Sequence, residues 1–188
     1  MVEREVKILV SKKSFEKCKC MLNKMVKPLK LIQVNHYFDT KDFMLHTLGD
    51  TLRIRHQENS CLLQYKYRKQ FFGFDKSCEE YEEIITEFMP TISSMILPIH
   101  STLTSSEQIN FTNIGCLTTE RMNYLIDDTV VSLDSNFYFG KCDYEVEVEF
   151  FDKKKAEDIL YHLHLNCYEY SDVGKYSRFV SEYKRIYS

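Results

Sequence analysis

The sequence predicts an α+β protein whose strands form a barrel with charged side chains inside and apolar side chains outside beneath helices, the inverse of an ordinary soluble barrel. Two sets of residues carry that prediction. Successive side chains on a strand point to opposite faces, so Glu3, Glu5 and Lys7 share one face while Val2, Val6 and Ile8 share the other, interrupted by Arg4. Near the far end of the fold Asp143, Glu145, Glu147 and Glu149 line one face, opposite Tyr144, Val146, Val148 and Phe150. The second set has the opposite sign: Arg53 and Arg55 alternate with Leu52 and Ile54, and Lys66 and Arg68 alternate with Tyr65 and Tyr67. A row of carboxylates that nothing dilutes repels itself, and only counter-ions or metal relieve the repulsion. Two basic strands therefore answer two acidic ones.

The remaining elements follow in order. Ser14 is a candidate cap for a helix that buries Phe15, Cys18, Met21, Leu22 and Met25 and ends before Pro28. Residues 31–39 read as the second strand, and 40–49 as a turn, a short extended piece around Phe43 to Leu45, and another turn. Residues 50–58 and 61–69 form a hairpin across Glu58-Asn59-Ser60, residues 70–78 a loop, and 79–86 a further strand. From Pro90 to about Gln108 the two prolines and the polarity predict one or two short helices. Strands at 111–125, 129–138 and 142–151 follow, the last two joined by a turn at Asn136 to Lys141. Asp152 opens a helix through His164 with Ala156, Ile159, Leu160 and Leu163 buried. The aromatic stretch Tyr168 to Tyr176 leads into a final helix through Ile186.

Composition narrows the class. The 188 residues read as a single domain over 1–188, and a net charge of -3 from 25 basic and 28 acidic residues excludes a global cationic field of the kind nucleic-acid binding uses. No nucleic acid partner is expected. Seven cysteines without paired C-x-x-C spacing read as reduced, mostly buried thiols and so as a cytoplasmic protein. No apolar run approaches the roughly 20 residues that span a bilayer, so no membrane partner is expected. Nothing in the pattern specifies an oligomeric state.

An ordered series of motifs adds a family. Glu3-x-Glu5-x-Lys7 is followed by Asn35-His36-Tyr37-Phe38-Asp39-Thr40, Leu52-Arg53-Ile54-Arg55, Leu63 to Arg68, Arg121, Leu133-Asp134, Tyr144-Glu145-Val146-Glu147 and Lys175-Tyr176-Ser177-Arg178. This series resembles the CYTH domains, also called triphosphate tunnel metalloenzymes, and is most similar to the small bacterial single-domain members. The resemblance implies an eight-stranded antiparallel tunnel that binds a triphosphate and divalent cations, Mg2+ or Mn2+, and hydrolyses a phosphoanhydride of inorganic tripolyphosphate or a nucleoside triphosphate. It also implies the alternatives found in that family, a class IV adenylate cyclase or a thiamine triphosphatase. A noncatalytic polyphosphate-binding module would keep the basic wall and could dispense with the acidic one.

Elementary chemistry assigns the residues within that expectation. Phosphate oxygens need Arg or Lys donors, for which Arg53, Arg55, Lys66, Arg68, Arg121, Lys175 and Arg178 are the candidates. Mg2+ and Mn2+ take carboxylate and water oxygens, for which Glu3, Glu5, Asp134, Glu145 and Glu147 are the candidates. Glu5, Glu145 and Glu147 would hold the cation that orients the phosphates. Glu3 would ligate or orient a second cation's water, and Lys7 would neutralise the carboxylates or contact the terminal phosphate. The chemistry thus rests on Glu3, Glu5 and Lys7, with no covalent nucleophile.

Several positions have simpler readings. Glu149 fits a place at the mouth, and Asp39 beside Thr40 fits a turn rather than a ligand. Either Glu80 with Glu82 or Glu79 with Glu83 faces inward, with Glu82 preferred. His162 and His164 fall on different helix faces and read as structural or solvent-facing. Lys175 and Arg178, three residues apart, fall on one face of a helix that Phe179 and Tyr183 anchor.

Overall fold

The computed structural model describes residues 4–69, 77–94, 97, 108–171 and 173–187. In chain order the elements are β1 (Arg4–Val10), α1 (Lys12–Met25), β2 (Leu29–Asp39), α2 (Met44–Leu48), β3 (Thr51–Gln57), β4 (Ser60–Lys69), β5 (Ser77–Ile84), β6 (Thr91–Ser93), β7 (Asn110–Ile126), β8 (Thr129–Tyr138), β9 (Lys141–Phe150), α3 (Lys153–His162) and α4 (Lys175–Tyr187). Hydrogen bonding orders the sheet β1-β9-β8-β7-β2-β3-β4-β5, with β6 paired to β7. The pairs β1–β9, β9–β8, β8–β7, β7–β6, β3–β4 and β4–β5 are all antiparallel. These are the eight strands expected, plus the three-residue β6. The chain divides into two compact units, residues 1–33 with 118–174, and residues 34–117 with 175–188.

In the first unit the apolar faces of β1, β9, β8 and β7 meet α1 and α3. Ile8, Val131, Leu133, Val146, Val148 and Tyr124 are each fully buried there against Phe15, Cys18 and Leu22 of α1 and Ala156 and Leu160 of α3. Each such side chain contributes roughly 2 kcal/mol by leaving water. α1 begins one residue after Ser11, whose Oγ accepts the Ser14 backbone N–H at 3.1 Å, so the cap is Ser11 and Ser14 lies inside the first turn. The Ser14 hydroxyl instead meets the Tyr168 hydroxyl at 2.9 Å. Ser11→Ala is expected to cost about 1 kcal/mol of stability in urea unfolding. Phe139 and Gly140, with φ of 48° and 74°, turn β8 into β9, a conformation that favours glycine at the second position.

In the second unit the apolar faces of β2, β3 and β4 supply Phe38, Leu52, Ile54, Leu63 and Tyr65, buried with Leu45, Ile92 and Phe111. The segment after β2 is α2, not an extended piece. The fully buried Asp39 makes it helical, accepting the backbone N–H groups of Thr40 and Leu45 at 2.7 and 2.9 Å on Oδ1 and that of His46 at 3.0 Å on Oδ2. Gly49, at φ 78°, closes α2. Residues 91–93 pair as a strand rather than a helix, and the rest of the helices expected before Gln108 falls largely on residues outside those described. The expected loop at 70–78 also falls outside, apart from its last two residues, which open β5.

His36 packs its ring on His56 and Phe88, with centroids 5.4 and 4.9 Å away. Burial, and then the neighbouring His56, hold its imidazole below the ordinary range. As pH falls through about 6.5 the unfolded chain binds this proton first, so stability is full above that pH and declines below it. His36→Phe is expected to flatten the decline of the urea midpoint between about pH 7 and 5. An unchanged slope would contradict the assignment.

The cysteines correct an expectation. Of the six described, only Cys18 is buried; Cys61 is half-buried, and Cys20, Cys116, Cys142 and Cys167 are exposed, all as free thiols. Cys20 sits two residues from Cys18 and so turns away from the core stripe of α1, and Cys142 stands at the hairpin end of β9. No helix among the described residues is long and apolar enough to cross a membrane.

Candidate metal and phosphate site

The polar face of the first unit is the continuation of its alternation. With Val146 and Val148 in the core, Glu145 and Glu147 must point the other way, and both are buried, at 0% and 4% exposure. Register then stacks polar groups across the strands. Glu147 lies between Lys7 of β1 and Ser132 of β8, Glu145 lies opposite Asp134, and Asp134 lies opposite Arg121 of β7. Asp134 is fully buried. A carboxylate taken out of water without a partner costs several kcal/mol, more than a single core side chain returns, so this face is possible only because cations stand on it.

Arg121 is the principal one. Its Nε donates to Asp134 Oδ1 at 2.8 Å and its Nη2 to Oδ2 at 2.6 Å, and Nη2 also donates to Glu147. Burial alone would lower the guanidinium pKa, but Asp134 and Glu147 outweigh it and raise the value above the ordinary one. Lys7 Nζ donates to Glu5 Oε1 at 2.7 Å. Further along the same face Thr119 donates to Asn136, which donates to Asp143 at 3.0 Å, and Tyr138 donates to the other Asp143 oxygen at 2.7 Å.

The carboxylates converge in two groups, Asp134 with Glu145 and Glu147, and Glu5 with Glu147 and Glu149, each with one oxygen per residue within 4.8 Å of the others. Glu147 belongs to both. Three carboxylates drawn from two neighbouring strands form a hard-oxygen donor set that suits a divalent cation. The trio expected to share one cation, Glu5, Glu145 and Glu147, is divided between these groups: Glu145 converges with Asp134 and Glu147, and Glu5 with Glu147 and Glu149. Glu149, read as a mouth residue, joins the Glu5 group. Glu3 lies outside the described residues.

The second unit carries the basic rows. Arg53 Nε donates to Gln64 Oε1 at 2.7 Å, and Arg55 Nε donates to Asn35 Oδ1 at 2.8 Å. In both pairs a neutral amide fixes the guanidinium through Nε, and a guanidinium so oriented is suited to bidentate contact with phosphate. Gln64 also donates to Glu82, and Glu80 stands 3.7 Å from Arg53 Nη2. Glu79 and Glu83 instead accept the hydroxyls of Tyr67 and Tyr81, each at 2.6 Å. Glu80 and Glu82 therefore share the face of Arg53 and Gln64, which resolves the two phases left open. Lys66 is half-buried opposite Glu80. Arg68 is described only as backbone within β4.

α4 packs onto the polar face of β2. Tyr37, which alternation places beside Asn35 and Asp39, meets the rings of Tyr176 and Phe179 at 4.9 and 5.0 Å. The Tyr176 hydroxyl donates to Asp39 Oδ2, and burial followed by that carboxylate raises its pKa above the ordinary phenol value. Lys175 and Arg178, each one residue before these two anchors, stand half-buried on the adjoining stripe. Tyr183 packs on Phe43 at 5.4 Å as a further anchor. His162 and His164 are exposed.

Sequence reasoning missed Asn35 and Gln64 as the groups that orient Arg55 and Arg53. Gln64 carries a signal of parity, since it shares its face of β4 with Lys66 and Arg68, whereas Asn35 shares its face of β2 with Gln33, Tyr37 and Asp39 and has no basic neighbour there to mark it.

Three comparisons bear on this arrangement. The CYTH domain model matches residues 1–178. A protein of Bacillus subtilis (strain 168), which bears the provisional name triphosphatase YjbK, is 27% identical over 150 residues, 79% of this chain and 77% of the relative. Among solved structures, HpAC1 from Hippeastrum, provisionally assigned as an adenylyl cyclase and described as having a dominant triphosphatase activity, superposes with a TM-score of 0.71 at 22% identity over 96% of both chains. A protein of Bacillus halodurans, provisionally assigned as an adenylate cyclase, superposes with a TM-score of 0.68 at 24% identity over 95% of this chain and 99% of its own. The likeness shows the antiparallel, strand-dominated fold of these proteins. With the family model matched over residues 1–178, nearly the whole of its length, the chain belongs to the CYTH domain family.

Proposed function

We propose that the protein is a divalent-cation-dependent triphosphatase that hydrolyses a phosphoanhydride of inorganic tripolyphosphate or a nucleoside triphosphate. The observation that carries this reading is the buried group Asp134, Glu145 and Glu147 with Arg121 in its midst. The names of YjbK and HpAC1 support it.

Asp134, Glu145 and Glu147 would hold one Mg2+ or Mn2+, and Glu5 with Glu147 and Glu149 a second. A bound cation of this kind neutralises phosphate charge and lowers the pKa of a coordinated water. The protein's own part is placement. Arg53 and Arg55, held through Nε by Gln64 and Asn35, would bring guanidinium charge to the phosphate oxygens. Lys66, Lys175 and Arg178 add positive charge, and Arg68 is assigned with them from its position on β4. Lys7 keeps Glu5 paired and is the nearest ammonium on β1 to Glu147. Glu5, with Glu3 two residues before it on the same parity, positions the attacking water. Rate comes mostly from this pre-set charge, since phosphoryl transfer needs little covalent help from the protein.

The test is a product-resolved screen of tripolyphosphate, ATP and thiamine triphosphate with Mg2+ and Mn2+ in turn. Orthophosphate release from tripolyphosphate or ATP is the expected result. Pyrophosphate with cyclic AMP as the main products would make the protein a cyclase, and ligand-induced thermal stabilisation without turnover would make it a binding module.

A further inference from the structure

Arg121 was expected to grip phosphate, yet in the fold it grips carboxylates. It covers both oxygens of Asp134 in a forked contact and reaches Glu147 with the same Nη2, and both acceptors belong to the group suited to a cation. Its side chain is only 15% exposed. A guanidinium bound in this way uses the lone-pair directions through which Asp134 would ligate a metal ion.

We propose that Arg121 is the resident counter-ion of this group, and that it competes with a divalent cation for Asp134 and Glu147. Cation loading then releases the guanidinium to the phosphate chain. The inference rests on the reading above that Asp134, Glu145 and Glu147 take a divalent cation. Two physical facts make the exchange workable. Buried carboxylates need a positive partner at all times, and Arg121 supplies one before the cation arrives. A divalent ion carries twice the charge of a guanidinium and is compact, so it displaces the fork, while the released side chain meets a new anionic partner in the triphosphate. Cation and triphosphate binding become coupled, each favouring the other. The intrinsic cation affinity is held down by the competitor, which ties the loaded state to the presence of substrate.

The experiment is a Mn2+ binding isotherm without triphosphate, read from the electron paramagnetic resonance of the free ion, for wild type, Arg121→Met and Glu145→Gln. Arg121→Met is expected to bind Mn2+ at least about tenfold more tightly than wild type, and Glu145→Gln at least about tenfold more weakly. If Glu145→Gln weakens binding but Arg121→Met leaves it unchanged or weaker, the competition is overturned and the cation site stands. If neither wild type nor Arg121→Met binds Mn2+ saturably, the reading beneath is overturned with it. Should Arg121→Met fail to fold, the 1H–15N signal of the Arg121 Nε–H in wild type reads the same exchange. Its movement on Mg2+ titration supports the competition, and a signal unmoved at saturation overturns it.

Discussion

Glu147→Gln is expected to lower cation-dependent phosphate release about a hundredfold or more while leaving the chain folded. Among the described residues Glu147 is the carboxylate common to both converging groups, so under the proposed function its charge would serve either cation. The amide that replaces it is nearly the same size and keeps an oxygen for the Arg121 Nη2, which holds the cross-strand packing between Lys7 and Ser132 in place. What changes is one buried negative charge. Losing a charge-assisted hydrogen bond costs about 1–2 kcal/mol, well within what a folded chain of this size tolerates, whereas under the proposed function the same change removes a cation ligand from the reacting centre. Raising Mn2+ should restore part of the rate, because the defect lies in occupancy and in charge placement together. Glu149→Gln, half-buried and in one group only, is expected to lose about tenfold. Steady-state phosphate release across a Mn2+ series checks both, and a Glu147→Gln enzyme with wild-type turnover at ordinary Mn2+ would remove the carboxylate group from the chemistry.

Much of this site was legible because strand parity is a rigid constraint. Once Val146 and Val148 are core, Glu145 and Glu147 have nowhere to point but the opposite face, and the same holds for Arg53 and Arg55 against Leu52 and Ile54. Pairing was not legible, because register comes from the other strands. Arg121 could be read as basic and inward, but its forked contact exists only because β7 lies beside β8 with Arg121 opposite Asp134. The phase of Glu79 to Glu83 was open for a related reason: five residues with four carboxylates look alike in either phase, and only the tyrosines that they meet, Tyr67 and Tyr81, separate them. Caps failed by three residues at α1, where Ser11 and Ser14 both satisfy the local rule and the former wins because its backbone is extended. α2 was missed outright. Met44 to Leu48 has too few residues to show a helical period, and its start is held by Asp39, a residue that belongs to the preceding strand.

That dependence makes Asp39→Ala the substitution with the largest expected effect on stability, about 3–5 kcal/mol. Asp39 is fully buried and both of its oxygens are used: Oδ1 by the Thr40 and Leu45 N–H groups, Oδ2 by the His46 N–H and the Tyr176 hydroxyl. Alanine leaves the first turn of α2 without an acceptor for these donors and leaves a buried phenol unpaired, and each orphaned group costs about 1–3 kcal/mol. Tyr176→Phe removes one donor together with its need for an acceptor, so it should cost only about 1 kcal/mol. The pair is therefore expected to be strongly non-additive: with Tyr176 already Phe, Asp39→Ala should cost measurably less than it does alone, and a double-mutant cycle in urea reads the difference. The consequence reaches the cations proposed to bind phosphate. Tyr176 and Phe179 seat α4 on Tyr37, and Lys175 and Arg178 ride on the adjoining stripe, so loosening Asp39 should raise KM for the triphosphate before it affects Mn2+ binding to carboxylates that stand on β8 and β9. A loss below about 1 kcal/mol in Asp39→Ala would mean that water or a neighbouring carbonyl takes over the acceptor's role, and α2 and α4 would then not depend on Asp39 for their positions.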